Sequence, residues 1–404
     1  MKCGLLGRKL GHSYSPRIHS FLGGYTYELF EKEPEQLGDF LRNGDFDGIN
    51  VTVPYKQTVI PFLDEISSLA ERLGAVNTIV RRNGKLIGHN TDYFGFLTMV
   101  RESGLSVGGK KVLVLGSGGA SKTAVSVLEE LGAKVVIISR SGVNHYGNLH
   151  LHKDATLIVN TTPVGMYPNV GISPVDLTHF PDLQGVLDVV YNPARTKLLL
   201  DAERCGLITM NGLLMLVAQA KEAAEWFTGT EISNAVIPAI HGMLRRQMEN
   251  IILIGMPGCG KSAIGAQLAE RLGKNFVDAD VTLVQRTGRT IPEIFASGGE
   301  DAFRKLETET LADLCRESGL VIATGGGCIT REENYPLLHQ NGTIFWLTRD
   351  LKKLPTDGRP LSQKNNLEDI YRVRNPLYEA FADFQIDNNG SPEAAISQIM
   401  EVLQ

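Results

Sequence analysis

Residues 251–262 read Ile-Ile-Leu-Ile-Gly-Met-Pro-Gly-Cys-Gly-Lys-Ser. The four apolar residues predict a buried strand, and the next eight fit the phosphate-loop pattern G-x-x-x-x-G-K-[ST]. In such a loop the backbone N–H groups face the phosphates, Lys261 reaches the outer oxygens and Ser262 ligates Mg²⁺. A glycine-rich turn before a lysine is the alternative, but a helical pattern follows over 263–272. Because a phosphate loop needs its strand at the centre of a sheet, we expect a domain to begin at Asn250.

Composition limits the classes of protein to which the chain can belong. Its 404 residues are enough for two or three domains, and a hydrophobic content of 43% is ordinary for a globular protein. The net charge of −5 gives no basic footprint for nucleic acid, and no apolar run reaches the length of about 18 residues that a membrane span needs. The amino terminus shows no signal-peptide pattern, and the five cysteines form no C-x-x-C pair. We therefore expect a cytoplasmic protein without nucleic-acid or membrane partners, disulfides or a zinc site.

Polar residues in the first hundred positions suggest a small-molecule site. Ser13 and Ser15 stand near a predicted helix start, where N-capping is the simpler role and binding of a polyol or carboxylate is the alternative. The strand predicted within 48–57 stops at a proline and delivers Lys56, which is either solvated or, if partly buried, a general acid or base. A hairpin over 74–88 then leads to Asp92, which taken alone reads as a helix N-cap.

Three segments follow the serine pair in series: Asn50-Val-Thr-Val-Pro-Tyr-Lys56, Gly74-Ala-Val-Asn-Thr78 and Asn90-Thr-Asp92. In that order they resemble the shikimate dehydrogenase family, and the resemblance extends to about residue 245. It implies a catalytic pair of Lys56 and Asp92. The residues that it implies for binding shikimate are Ser13, Ser15, Thr52, Lys56, Asn77 and Asp92. Hydride transfer to a ketone produces an alkoxide that needs a proton, and an ammonium beside a carboxylate can donate one. Arg8 and Lys9 stand where the family usually has Asn-Pro, so we expect that loop to differ in shape.

The middle of the first half carries a dinucleotide-binding pattern. A strand over 110–115 leads into a glycine-rich turn and a helix that ends near Leu131, so that the helix N-terminus can bind a pyrophosphate. The third glycine position of the fingerprint holds Ser121. The next strand ends in Arg140, which favours the 2′-phosphate of NADP over the ribose hydroxyl of NAD, although the family's second basic residue is missing. The residues predicted to bind NADP here are Gly116, Ser117, Gly118, Gly119, Ala120, Ser139 and Arg140.

Two later segments extend the resemblance to the dehydrogenases. They are Asn160-Thr-Thr-Pro-Val-Gly-Met166 and Asp188-Val-Val-Tyr-Asn-Pro193. By that match Val189 and Gly212 flank the nicotinamide, while Tyr191 lines the substrate cleft. Gln219 matches the family's substrate-binding glutamine, and its amide can reach a carboxylate. The helix over 212–227 is expected to pack back on the first hundred residues.

The segment after the phosphate loop carries groups suited to phosphoryl transfer. Asp278 and Asp280 close a predicted strand on the same side, where one can serve Mg²⁺ and the other the acceptor hydroxyl; a solvated strand end is the alternative. Ser297-Gly-Gly-Glu300 reads as a capping box that starts the helix carrying Arg304. A strand from Leu320 runs into three glycines, which let a small ligand approach the backbone closely.

Six motifs occur in order after residue 250: Asp278-Ala-Asp280, Gln285-Arg-Thr-Gly-Arg-Thr-Ile291, Gly299-Glu-Asp-Ala-Phe-Arg304, Gly325-Gly-Gly327, Arg359-Pro-Leu361 and Arg374-Asn-Pro-Leu-Tyr378. They resemble shikimate kinase, which implies ATP, Mg²⁺ and shikimate as ligands. The residues implied for shikimate are Asp280, Arg304, Gly326 and Arg374. Those implied for ATP are Gly258, Cys259, Gly260, Lys261, Ser262 and Arg359, with Ser262 and Asp278 on the metal. Catalysis is assigned to Lys261 and to Asp280, which orients the attacking hydroxyl.

Two features of the kinase segment depart from the family pattern or add to it. Nine residues separate Arg349 from Arg359, which is shorter than the usual approach to the lid predicted at 357–361. The family's adenine-stacking arginine has no clear equivalent. Cys259 lies inside the phosphate loop, so we expect its thiol to be reactive, with alkylation blocking the kinase and ATP protecting it.

The sequence thus predicts an α/β protein of three domains. A discontinuous substrate domain covers 1–100 and is completed by helices from 211–248, a Rossmann-like NADP domain covers 101–210, and a P-loop kinase domain with a parallel sheet covers 250–404. The expected function is NADPH-dependent reduction of 3-dehydroshikimate to shikimate, followed by ATP-dependent phosphorylation of shikimate. A sensor that kept the folds and lost the chemistry is one alternative, and acceptance of quinate by the first half is another. The sequence leaves the oligomeric state open.

Overall fold

A computed structural model of the chain describes residues 1–11, 13–354 and 367–403. These residues form two compact units, Met1–Met243 and Leu244–Gln404, and the boundary between the units falls inside the helix Val236–Met248. The predicted lid, with Arg359, lies outside the described residues. Among the described helices, none combines the length and apolar character that crossing a membrane requires.

A six-stranded mixed sheet forms the first part of the first unit, in the order β2-β1-β3-β5-β6-β4. Its strands are β1 Lys2–Gly7, β2 Thr26–Glu31, β3 Gly48–Val51, β4 Glu65–Ile66, β5 Thr78–Arg82 and β6 Lys85–His89. β5 and β6 are antiparallel and form the predicted hairpin, with positive φ angles at Asn83 and Gly84. This is the turn geometry that an Asn-Gly pair favours, because its twist matches that of the strands.

A five-stranded parallel sheet forms the second part of this unit, in the order β11-β10-β9-β7-β8. Its strands are β7 Lys111–Leu115, β8 Lys134–Ile138, β9 Leu157–Asn160, β10 Gly185–Asp188 and β11 Ile208–Asn211. The central strands β9 and β10 are buried along their whole length, because both faces of a parallel sheet are covered by other elements. Their carboxyl ends share one edge, which brings the residues after β7, β9 and β10 together.

The helices of the first unit connect and cover these sheets. They are Ser15–His19, Leu37–Asn43, Ser68–Leu73, Asp92–Glu102, Gly119–Glu130, Lys197–Arg204 and Leu213–Thr228, with Val236–Met248 at its end. The helix Leu213–Thr228 packs against β3, β5 and the helix Asp92–Glu102. The chain therefore returns to the first sheet after completing the second, as the sequence predicted.

The second unit is built on a five-stranded parallel sheet in the order β13-β14-β12-β15-β16. Its strands are β12 Asn250–Ile254, β13 Asn275–Asp278, β14 Leu320–Ala323, β15 Gly342–Thr348 and β16 Phe384–Asp387. The strand that leads into the phosphate loop, β12, is central, as predicted, and is fully buried. The helices are Lys261–Leu272, Ala279–Thr287, Ile291–Leu314, Asn334–His339, Leu367–Phe381 and Pro392–Val402.

Two local predictions in this unit were wrong. Asp280 does not lie on the strand with Asp278: the strand ends at Asp278, which caps the next helix by accepting from the backbone N–H of Asp280. The capping box is formed by Thr290 and Glu293, one helical segment earlier than expected. At the predicted box, Oγ of Ser297 donates to the carbonyl of Ile294 and the carboxylate of Glu300 accepts from Arg304, so neither side chain makes a capping contact.

Candidate functional site

The predicted catalytic pair of the first unit forms a short ion pair. Lys56 lies beyond the end of β3 and Asp92 is the first residue of its helix, for which the backbone N-cap is Thr91. Their Nζ and Oδ2 atoms are 2.6 Å apart, with side-chain exposures of 25% and 12%. A partly buried ammonium held by a carboxylate has a fixed position and remains open to a substrate.

Beside this pair, a buried network orients two amide side chains. The amide of Asn77 donates to Oγ1 of Thr91 at 3.0 Å and to Oε1 of Gln219 at 3.4 Å. The backbone N–H of Thr91 donates in turn to Oδ1 of Asn77 at 2.7 Å. Thr78 and Asn50 extend the network beneath the amides. The structure thus brings Asn77, Gln219 and the residue before Asp92 together.

The serine pair and Tyr191 are connected through Tyr14, the residue between the two serines. The N–H of Ser15 donates to Oγ of Ser13 at 3.2 Å, which is a local turn contact, because the N-cap residue of this helix is Tyr14 and no side chain caps it. The rings of Tyr14 and Tyr191 meet edge to face, with centroids 6.0 Å apart. This contact places Tyr191 beside the serine segment, and burial raises the pKa of its phenol. Thr52 directly follows the last residue of β3 and precedes Lys56 by one turn.

The predicted dinucleotide loop lies between β7 and the helix Gly119–Glu130. Gly116 has φ of +110°, a conformation that favours glycine, and a methyl group there would press on Oγ1 of Thr161. Added methyl groups at Gly118 and Gly119 would meet nothing within 4 Å, so the backbone here is open to a ligand. Ser117 and Ala120 complete the turn and the first helical residues. Ser121, at the third fingerprint position, is buried and donates to the carbonyl of Gly116 at 2.8 Å, which fixes the loop.

The residues after β8 and β10 border the same edge of the sheet. Ser139 is buried just after β8, and Arg140 follows with an exposed side chain. On the other side, the N–H of Gly212 donates to the carbonyl of Val190 at 3.1 Å, and a methyl group on Gly212 would overlap the carbonyl of Val189. The two residues predicted to flank a nicotinamide are therefore in contact.

Asp188 holds this edge together, a role that the sequence did not predict. It is fully buried at the end of β10 and accepts from Asn160 Nδ2 at 2.9 Å, from Thr196 Oγ1 at 2.8 Å and from the N–H of Val190 at 3.0 Å. Burial raises the pKa of this carboxyl to about 6, although the three donors oppose the shift.

In the second unit, the phosphate loop has the expected form. Gly258 and Gly260 have φ angles of +83° and +102°, which other residues rarely adopt. Nζ of Lys261 donates to the carbonyl of Gly255 at 2.9 Å. Oγ of Ser262 donates to Oδ2 of Asp278 at 2.6 Å. This pair of oxygens suits Mg²⁺, which takes few protein ligands and keeps waters and phosphate oxygens; the described residues contain no cluster of three or more metal ligands.

The structure corrects the expectation for Cys259. Its side chain is fully buried in the apolar core of the unit, with Sγ 3.9 Å from Nζ of Lys261. A thiol without solvent access reacts slowly with alkylating agents. Cys259 can therefore contribute its backbone to a phosphate site, and its thiol is shielded.

A cavity of about 640 Å³ joins the phosphate loop to the predicted acid-binding residues. Its lining includes Lys261, Ser262, Asp278, Asp280, Arg304, Glu307, Gly326 and Arg374. Arg304 donates to Oε2 of Glu307 at 2.7 Å, and Arg374 donates to the carbonyl of Gly326 at 3.1 Å. Burial and the neighbouring Asp278 raise the pKa of Asp280. The residues predicted for this half therefore line one cavity, with two exceptions: Cys259, whose side chain is buried in the core, and Arg359, which lies outside the described residues.

Sequence reasoning missed Glu307, Thr91 and Asp188. Glu307 is buried, and a methyl group on Gly325 would overlap its free oxygen, so it belongs to the wall of the cavity. The spacing Arg304-x-x-Glu307 on a helix was a usable signal, since residues three apart share a face. Thr91 and Asp188 lay inside motifs that we used only for their neighbours.

Comparison with known proteins gives a family match in each half of the chain. A family model described as shikimate dehydrogenase substrate binding domain matches residues 5–79, and one described as shikimate kinase matches residues 257–404. The NADP(+)-dependent shikimate dehydrogenase of Clostridium perfringens is 37% identical over 264 residues, covering 60% of this chain and 97% of that protein.

Solved structures give the same result for the first unit. The crystal structure of shikimate dehydrogenase 1 from Peptoclostridium difficile is 38% identical, with a TM-score of 0.57, and covers 60% of this chain and 97% of that one. A quinate dehydrogenase from Corynebacterium glutamicum in complex with NAD is 29% identical, with a TM-score of 0.55, and covers 60% and 98%.

Proposed function

The chain belongs to the shikimate dehydrogenase family and also carries a shikimate kinase domain, and we propose that it is a bifunctional enzyme that makes shikimate and then phosphorylates it. The first unit reduces 3-dehydroshikimate with NADPH, and the second transfers a phosphoryl group from ATP to the 3-hydroxyl of shikimate. The observation that carries the proposal is the Lys56–Asp92 pair in one unit together with a single cavity in the other that holds both a phosphate loop and two arginines.

In the dehydrogenase reaction, the proton is supplied by Lys56. Bound NADPH would supply the hydride for the ketone carbon, and the ammonium of Lys56 donates a proton to the carbonyl oxygen, on which the negative charge develops. Asp92 holds the ammonium at 2.6 Å and stabilises its charge before transfer. Asn77 and Gln219, fixed by Thr91, orient the hydroxyl and carboxylate groups of the substrate. Ser13, Ser15, Thr52 and Tyr191 complete the proposed substrate set.

The residues that follow the strands of the second sheet are suited to binding NADP in this step. The open backbone at Gly118 and Gly119 suits a pyrophosphate at the helix N-terminus, and exposed Arg140 suits a 2′-phosphate. Val189 and Gly212 supply a flat backbone surface for the nicotinamide. NADP is therefore preferred over NAD, with one basic residue carrying the preference.

In the kinase reaction, the protein mainly positions and neutralises charge. Arg304 and Arg374 hold the carboxylate of shikimate, and Asp280 accepts a hydrogen bond from the attacking hydroxyl. A carboxylate with a raised pKa is better able to take up the hydroxyl proton as the bond to phosphorus forms. The ammonium of Lys261 neutralises charge on the transferred phosphoryl group. Ser262 and Asp278 would hold Mg²⁺, which would screen the phosphate charge.

The same proposal includes the domain boundaries and the cellular compartment. The dehydrogenase half has a substrate domain of residues 1–100 completed from 211–248 and an NADP domain of 101–210, and the kinase covers 250–404. All five cysteines lie in the described part of the chain and are free, which supports a reducing compartment such as the cytoplasm.

A coupled assay on the full chain tests the two activities together. Purified protein receives 3-dehydroshikimate and NADPH, absorbance loss is followed, and MgATP is then added while shikimate 3-phosphate is measured. Lys56→Met is expected to abolish NADPH oxidation and leave phosphorylation of added shikimate intact. Asp280→Asn is expected to abolish phosphorylation and leave NADPH oxidation intact. Each variant is thus the control for the other. Shikimate binding without either activity in the parent protein would instead favour a sensor.

Quinate is a second candidate substrate for the first unit, favoured by the similarity to a quinate dehydrogenase. Its additional hydroxyl would have to lie near Ser13, Ser15 and Tyr191. Oxidation of quinate and shikimate with NADP is compared at matched concentrations. A ratio of kcat/KM near one would assign both substrates to this site.

A further inference from the structure

Arg349 lies beside the phosphate loop of the second unit. It directly follows β15, which pairs in parallel with β12 so that Trp346 stands opposite Ile254, the last residue before the loop. A methyl carbon placed on Gly260 would lie 3.8 Å from Nη1 of Arg349. The guanidinium group therefore lies next to the last glycine of the phosphate loop.

This guanidinium has no acceptor among the described residues. Its Nε is buried without a hydrogen-bond partner, and no described carboxylate lies within ion-pair distance of its side chain. By contrast, Arg304 and Arg286 in the same unit are each paired with carboxylates. A buried donor without an acceptor loses its hydrogen bond to water and gains none in return, so an arginine in this state needs an explanation.

Asn388 connects the phosphate loop to the end of β15, because its backbone N–H donates to the carbonyl of Thr348, the residue before Arg349, at 2.9 Å. It follows β16, is buried, and donates from Nδ2 to the carbonyl of Cys259 at 2.5 Å. Its Nδ2 would also lie 2.9 Å from a methyl carbon on Gly260. Arg349 and Asn388 thus border the same glycine from two adjacent strands, and Asn388 acts as a positioning residue.

We propose that Arg349 binds the phosphate chain of the nucleoside triphosphate at the phosphate loop, a role that rests on the proposed kinase function. The guanidinium presents planar N–H donors that match phosphate oxygens, and such a ligand supplies the acceptor that Nε lacks. Lys261 is a second cation at the same loop, so the triphosphate is held by charges on two elements. Arg349 would thus be a residue that binds the nucleotide, and Asp280 remains the residue that accepts a hydrogen bond from the attacking hydroxyl of shikimate.

The test compares nucleotide binding in three variants of the full chain. Arg349→Met removes the charge and the donors at similar length, Arg349→Lys keeps the charge, and Arg372→Met removes an exposed arginine of the same unit that pairs with Asp369. Dissociation constants for ATP and for inorganic triphosphate, which has no base, are measured by calorimetry. The binding of shikimate and the NADPH-dependent activity of the first unit are measured in parallel as controls for folding.

We expect Arg349→Met to weaken both ATP and triphosphate at least tenfold, Arg349→Lys to recover part of the loss, and Arg372→Met to match the parent. Shikimate binding and the dehydrogenase activity should not change. ATP binding within twofold of the parent in Arg349→Met would overturn the proposal. A loss for ATP without a loss for triphosphate would assign the guanidinium to the base and also overturn it. Failure of the parent protein to bind ATP would overturn the proposed kinase function itself.

Discussion

Replacing Asp188 with Asn tests whether a buried carboxylate at the end of β10 opposes folding at neutral pH. Burial raises the carboxyl pKa from 3.8 to about 6. Because the folded-state pKa is the higher one, the associated stability is fully present below the unfolded value and is lost as pH rises through the folded value. The complete difference corresponds to about 3 kcal/mol, at about 1.36 kcal/mol per pKa unit.

Part of this effect lies in an accessible pH range. From these two pKa values, the free energy of unfolding of the parent should fall by about 1.4 kcal/mol relative to Asp188→Asn between about pH 5 and pH 7.5. The chain offers a suitable probe, since its two tryptophans, Trp226 and Trp346, lie in different units. In a Trp346→Phe background, fluorescence during urea unfolding reports the first unit alone.

The Asn variant is a matched control because its amide oxygen can still accept from Asn160 and from the N–H of Val190. Parallel pH profiles for parent and variant would refute the reasoning. They would show that the three donors, including the hydroxyl of Thr196, offset the cost of burial and keep the carboxylate ionised throughout.

Three further predictions concern individual residues. Thr91→Val should lower kcat/KM for 3-dehydroshikimate by about 10- to 100-fold, since each lost hydrogen bond is worth about 1 kcal/mol. Thr91→Ser should recover most of this loss, and the KM for NADPH should not change. Full activity of the Val variant in steady-state kinetics would contradict the positioning role. Gly212→Ala should weaken NADPH binding at least tenfold in fluorescence titrations, because the added methyl group overlaps a carbonyl oxygen. Gly24→Ala, whose added methyl group meets nothing within 4 Å, should bind NADPH as the parent does. Equal affinities of Gly212→Ala and the parent would contradict this prediction. In native protein, iodoacetamide should modify exposed Cys205 well before buried Cys259, as followed by mass spectrometry, and the kinase should stay active. Loss of kinase activity in step with Cys259 modification would support a reactive thiol in the phosphate loop.

The parts of the fold that sequence predicted well are those specified over short distances. The strand before the phosphate loop, its glycines and the helix after it lie within about twenty residues, and the Asn83-Gly84 turn determines its own hairpin. The capping box shows where such patterns fail. Thr290-x-x-Glu293 and Ser297-x-x-Glu300 satisfy the same local rule, but the box forms at the first pair, while Ser297 bonds the carbonyl of Ile294 and Glu300 forms an ion pair with Arg304.

The supporting residues of the proposed sites depend on contacts between distant positions. Asn77 meets Gln219 across 142 positions of the chain, and Thr91 becomes important because it touches both. Neither the motif around Thr91 nor the strand pattern before Asp188 indicates which neighbours they will hold. Such roles follow from the packing of the helix Leu213–Thr228 onto the first sheet and from the shared edge of the second, which composition and periodicity do not specify.

The two units are proposed to bind the same acid with groups of different charge, and the chemistry of each step explains the difference. In the first unit, neutral amides and hydroxyls surround a single ammonium, so the proton donor Lys56 is the main positive charge near the forming alkoxide. In the second unit, the acid must lie close to a polyphosphate of like charge. Two buried arginines line this cavity, one of them paired with Glu307, and we propose that they supply the positive charge that this approach requires.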